Sequence, residues 1–140
     1  FNNMCNTWGQ NIIEATKDTC YLSCMGKVFA MFARVFEPCT AAEARTGDEK
    51  LFALAVKTFT GKKQLYLINH SGNDCDTELP EGKWICRDGL QGSGRMAHET
   101  EDRSCAKRCL AAPEGSRILV PGLSFLCLEE SQDTESNAFI

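Results

Sequence analysis

The chain has 140 residues, a formal net charge of -4 and 43% hydrophobic residues, with eight Phe, two Trp and two Tyr among its aromatics. That length fits one domain able to bury roughly 68% of its unfolded surface. The apolar content excludes a disordered chain, the acidic balance excludes a general binder of phosphate backbones, and every apolar run falls short of the ~20 residues that span a membrane.

Thr7-x-x-Gln10 has the form of a capping box, and Ile12, Ile13, Thr16, Cys20, Cys24, Val28, Phe32 and Val35 recur at spacings of three and four. This pattern predicts a helix from Trp8 to Val35, with a break near Lys17 to Thr19, ended by Pro38. Thr40 to Lys50 is polar and reads as a loop. Leu51 to Thr60 and Gln64 to Asn69 are apolar runs joined by Gly61-Lys62-Lys63, the signature of a hairpin. Ser71 to Gly82 is turn-rich, Lys83 to Arg87 is a short third strand, and Asp88 to Arg95, with three glycines, is a loop. Thr100 caps a second helix with Glu101 and Asp102 in its first turn and Lys107 and Arg108 in its last. Arg117 to Leu128 is a strand bent or broken at Pro121-Gly122, and the acidic residues 129–140 form a solvated tail to a domain of residues 1–128.

These elements predict an α+β fold: an antiparallel sheet of about four strands with two helices packed on one face. Phe29, Phe32, Phe52, Leu54, Val56, Leu67 and Trp84 are its expected core.

Nine cysteines, Cys5, Cys20, Cys24, Cys39, Cys75, Cys86, Cys105, Cys109 and Cys127, set the expected chemistry. Such density in a small acidic chain reads as a disulfide framework made for an oxidising compartment. Two Cys-x-x-x-Cys pairs, Cys20/Cys24 and Cys105/Cys109, would lie on helix faces with nearly parallel Cβ vectors, so each cysteine would reach a different segment. The connectivity is open, and the odd count leaves one thiol over, available for a disulfide-linked dimer of an otherwise monomeric protein. A zinc site built from the two pairs is the weaker alternative, because structural zinc cysteines sit on knuckles rather than long helices. No metal and no cofactor are expected. The chain begins at Phe1 with no charged n-region ahead of an apolar stretch, which is read as a mature, secreted chain, and Asn69-His70-Ser71 is a glycosylation sequon that suits that route.

Catalytic signatures are thin. His70 and His98 are the only histidines, and a small secreted ribonuclease would use them as base and acid, with Lys63 or Arg95 on phosphate. The element order, helix then antiparallel strands, also matches cystatin-type protease inhibitors, but their Gln-x-Val-x-Gly loop is missing. Lys62 and Lys63 at the hairpin tip, with Arg95, are the candidate contact points for a protein partner.

In size, acidity, cysteine content and element order the chain resembles the small cysteine-rich secreted effectors of plant-pathogenic fungi, the avirulence proteins built on a four-stranded antiparallel sheet with helices. The resemblance implies a secreted, non-enzymatic interaction module that binds host proteins or is detected by host receptors, without nucleic acid, membrane or cofactor. The small hydrolase is the runner-up.

Overall fold

The computed structural model describes residues 12–15, 17–18, 20–33, 38–93 and 106–132. It is a mostly β protein. Strands β1 (Ile13–Ala15) and β2 (Cys20–Leu22) form a small hairpin, followed by helix α1 (Cys24–Phe32). Then come β3 (Cys39–Ala44), β4 (Leu51–Thr58), β5 (Lys63–Asn69), β6 (Cys75–Glu78), β7 (Trp84–Gly92), β8 (Ala106–Arg108), β9 (Arg117–Val120) and β10 (Ser124–Glu130). Six of them make one antiparallel sheet in the order β3-β4-β5-β10-β7-β8, while β6 and β9 pair as a separate two-stranded ribbon.

The β4–β5 hairpin stands where the sequence places it, in a register that sets Leu51 opposite Asn69 and Lys57 opposite Lys63. Side chains alternate across a sheet, so this hairpin has two working faces. On one, Leu51, Leu65 and Leu67 join Leu126 and Leu128 of β10 beneath Cys75, Leu79, Ile118 and Val120 from the ribbon and its flank. On the other, Val56, Tyr66, Phe125, Cys127 and Leu90 pack against Met31 of α1, with Val28 and Cys24 at the margin. The Phe32 ring lies 4.6 Å from Tyr66 and 5.2 Å from Phe125, which ties the end of the helix to the sheet. β10 lies at the centre, paired on both sides, with Leu126 and Leu128 fully buried.

The structure therefore corrects the expected α+β architecture of two helices on four strands. Among the described residues there is one helix, nine residues long. Ser23 explains why it starts so late: its hydroxyl accepts the Gly26 N–H and donates to the Ile12 carbonyl, so the chain enters the helix only after the β1–β2 hairpin has closed. Gly26 allows that closure, since a Cβ there would collide with the Ile12 carbonyl. The helical spacing of Ile12, Ile13 and Cys20 is thus a coincidence of two short strands. Of the expected second helix, residues 94–105 lie outside the described residues, and Ala106–Arg108 pair with β7 as a strand.

Four more boundaries move. The polar stretch after Pro38 is strand β3, paired with β4 from Cys39 opposite Thr58 to Ala44 opposite Ala53. The turn-rich segment after Ser71 contains β6. β7 runs on through Gly89 to Gly92 instead of ending at Arg87, because Gly89 sits opposite Leu126 and against the Cys109 backbone, where a side chain has no room. The acidic tail begins later than expected: Glu129 and Glu130 belong to β10, and Glu130 pairs with Lys63 at 2.9 Å. Of the expected core, Val56 and Leu67 are buried and Leu54 and Trp84 half-buried, but Phe29 is 51% and Phe52 60% exposed. Phe32 is 38% exposed despite its ring contacts.

No disulfide joins any two of the described cysteines. The geometric premise of the staple fails at Cys20, which lies on β2 while Cys24 opens α1, so the first pair shares no helix face. Cys75 and Cys127 are buried and pack as small apolar side chains in the two cores. Cys5 and Cys105 lie outside the described residues. No helix among the described residues is long and apolar enough to cross a membrane.

Candidate functional site: a polar-rimmed groove between sheet and ribbon

The ribbon covers only part of the apolar face it packs on. Between β6, the start of β9, the β3–β4 connection and the exposed strip of sheet is a groove of about 640 Å³. Its floor is apolar, from Ala53, Leu65 and Leu67, and its rim is charged, from Arg45, Asp48, Asp76, Glu78 and Arg117. An apolar floor with a few oriented polar groups is the usual composition of a small-molecule site.

Each rim group is held by local structure. The β3–β4 connection is a tight turn in which the Leu51 N–H donates to the Asp48 carbonyl and the Thr46 hydroxyl lies 2.7 Å and 2.6 Å from the Asp48 and Leu51 carbonyl oxygens. That turn aims the Asp48 carboxylate so that Oδ1 accepts the Lys50 N–H at 2.8 Å and Oδ2 accepts the Cys75 thiol at 3.5 Å. The Lys50 amide, helped by the thiol and outweighing partial burial, holds the Asp48 carboxyl below its usual 3.8. Burial, and then the neighbouring Asp48 carboxylate, push the Cys75 thiol up. Asp48 is thus biased toward accepting hydrogen bonds rather than donating a proton, and Cys75 toward its thiol form.

On the ribbon, alternation puts Asp76 and Glu78 on one side of β6 and Arg117 across from Glu78. Arg117 makes a fork with Asp76, Nε to Oδ1 and Oδ2 at 3.2 and 3.0 Å and Nη2 to Oδ2 at 2.8 Å. The hydrogen-bonded carboxylate raises the guanidinium pKa further. Both side chains are about half exposed, so the pair is a fixed polar edge for a ligand more than a source of stability. Among the described residues no group of three or more His, Cys, Asp or Glu side chains comes together to hold a metal.

Of the residues singled out from the sequence as partner or glycan contacts, the described ones, Lys62, Lys63 and Asn69, do not line this groove. Lys63 is engaged with Glu130, and Lys62 is exposed in the β4–β5 turn, where its N–H donates to the Thr58 hydroxyl. His70 is exposed beside Phe52, ring centroids 5.5 Å apart. Arg95 and His98 lie outside the described residues. Asn69 is buried, its Nδ2 donating to the Asn73 and Val120 carbonyls and its Oδ1 accepting from Ser71. In sequence Asp48, Asp76 and Arg117 are ordinary surface charges, with nothing to set them apart as groove residues. The one signal was Thr46-x-Asp48 beside Gly47, a turn former between runs that both prove to be strands.

No family model matches the sequence, and no curated protein matches it. Solved structures do share its fold. The catalytic domain of GH30 xylanase C from Talaromyces cellulolyticus aligns with 86% of this chain at a TM-score of 0.58 and 20% identity. The GH51 arabinofuranosidase from Xanthomonas axonopodis pv. citri aligns with 87% at 0.55 and 19% identity, and a GH30 endoxylanase from Clostridium papyrosolvens with 79% at 0.50 and 13% identity. The chain spans 27 to 29% of the length of those proteins. At these identities the likeness is one of fold. It stands against the expectation of a non-enzymatic module, because the three solved chains named above are glycoside hydrolases.

Proposed function

We propose that this chain is the β-sheet part of a glycoside hydrolase and that its groove holds a stretch of polysaccharide. The observation that carries the reading is the recurrence of the fold, over 86 and 87% of this chain, in two glycoside hydrolases of different numbered families, a xylanase and an arabinofuranosidase. The groove chemistry agrees with it. Carboxylate and guanidinium groups held in place accept from and donate to sugar hydroxyls. Glycoside hydrolysis also needs a carboxylic acid that keeps its proton near neutral pH, opposite a second carboxylate. Asp48 is biased the other way, so in this reading the groove binds and orients while the acid comes from another part of the enzyme.

The test is titration of the chain with xylo- and arabino-oligosaccharides, followed by backbone NMR. Shifts that map to residues 44–48, 76–78 and Arg117, and that vanish in Asp48→Ala and Arg117→Ala, are the expected result. Absence of any response to these sugars, or a response confined to another surface, would overturn the proposal.

A further inference from the structure

A second cleft, of about 470 Å³, lies on the helix side of the six-stranded sheet, between α1 and the β7–β8 edge, and shares no residue with the groove under the ribbon. Its volume falls within the range of small-molecule sites, about 300–1,000 Å³. Lys27, Ala30 and Met31 stand three and four residues apart on α1 and so share one face of it. On β7, Asp88 and Leu90 are two residues apart and point to one face of the sheet. The β7–β8 register sets Arg108 opposite Leu90, which brings its side chain up on that same face. Leu22, at the end of β2, completes the lining. Met31 and Leu90 are buried and make an apolar floor, Leu22, Ala30 and Arg108 are exposed at the mouth, and Lys27 and Asp88 are half-buried between them.

Two cations and one carboxylate line this floor, a surplus of one positive charge in a chain whose net charge is -4. The Arg108 guanidinium has no hydrogen-bond or ion-pair partner among the described residues. The Lys27 ammonium donates to the Ala106 carbonyl at 3.4 Å, long for such a bond, and keeps N–H donors to spare. Asp88 is fixed against its strand, where Oδ1 accepts the Gly89 N–H at 2.9 Å.

We propose that this cleft binds an aromatic monocarboxylate, with the ring on Met31 and Leu90 and the carboxylate held by Arg108 and Lys27. A guanidinium presents its N–H groups in a fork that matches a carboxylate, and the ammonium adds a second charge-assisted bond. Asp88 sets the charge of the ligand. One positive charge in excess balances a single negative head, whereas a doubly charged phosphate would meet repulsion from the Asp88 carboxylate. The body of the ligand follows from the floor, since a methionine thioether makes favourable contact with an aromatic ring. The site is independent of the groove and of the carbohydrate reading of it.

The experiment is backbone NMR of the full chain titrated with naphthoate, with its neutral alcohol naphthalenemethanol, and with acetate, which keeps the head and lacks the ring. Naphthoate is expected to give saturable shifts at Leu22, Lys27 to Met31, Asp88 to Leu90 and Arg108, with residues 44–48 and 76–78 unmoved. Both analogues should bind about tenfold or more weakly, and so should naphthoate to Arg108→Gln, to Lys27→Gln and to Ala30→Trp, which fills the mouth. The same spectra report whether each variant is folded. Lys107→Gln, on the opposite face of β8, should leave the affinity unchanged. Equal affinity for the alcohol, undiminished affinity in folded Arg108→Gln protein, or naphthoate shifts that fail to saturate or that centre on another surface would overturn the proposal.

Discussion

Replacing Gly89 with alanine tests the tightest point of the sheet. Gly89 is flanked by Leu126 on β10 and by the Cys109 backbone beyond β8. A Cβ at this position would overlap the Cys109 carbonyl oxygen and stand 2.7 Å from Leu126 Cδ2, in a region where Leu126 is fully buried. The leucine can turn aside only into a filled core, and the carbonyl belongs to backbone whose own N–H donates to the Gly89 carbonyl at 2.9 Å. Overpacking of this kind costs about 1–3 kcal/mol. Forcing Cys109 away adds about 0.5–1.5 kcal/mol for its hydrogen bond. Gly89→Ala should therefore lose about 2–4 kcal/mol, a fall in Tm on the order of 10 °C for a chain of this length. The assay is urea denaturation of both proteins, with amide exchange at Cys109 as the local readout. A variant within about 0.5 kcal/mol of wild type, the range of an ordinary surface substitution, would refute the claim that close backbone approach demands glycine here.

Two further outcomes follow from side chains already described. Asn69→Ala strips four hydrogen bonds from a buried site and should cost about 2–4 kcal/mol by thermal or urea unfolding; the same burial predicts that intact mass of the chain from a glycosylating host shows no glycan on Asn69. The Asp48 carboxyl titrates lower in the folded chain than unfolded, so its contribution to stability is present above its usual 3.8 and is lost as pH falls through the folded value. In a Tm series taken downward from pH ~6, Asp48→Asn should show a shallower acid decline than wild type, and parallel curves would contradict the assignment.

Local chemistry made the β4–β5 hairpin legible in the sequence: alternating apolar residues on both sides of a short turn at Gly61, whose φ of 89° favours glycine. The break at Pro121-Gly122 was legible for the same reason, and it proves to be where the chain leaves the β6–β9 ribbon for the six-stranded sheet. Such signals need only neighbouring residues. They could not decide whether Ile12 to Leu22 is helix or strand, since short apolar runs satisfy both periods until a tertiary partner chooses one. The choice was made by Ser23 and by the approach of Ile12 to Gly26.

The cysteines show the same division. Their number and spacing argued for staples, yet Cys75 and Cys127 sit in the two cores because the sheet brings leucines and aromatics to them, and no disulfide joins any two of the described cysteines. The groove lay furthest from view. Asp48 and Cys75 are 27 residues apart, and Asp76 and Arg117 are 41 apart. Only the β6–β9 pairing, and the packing of that ribbon on Leu65 and Leu67, sets those charges around one apolar floor. The sequence by itself determined which segments could turn and which could alternate. Tertiary structure decided which of them met, because pairing and burial act between residues that the chain order keeps apart.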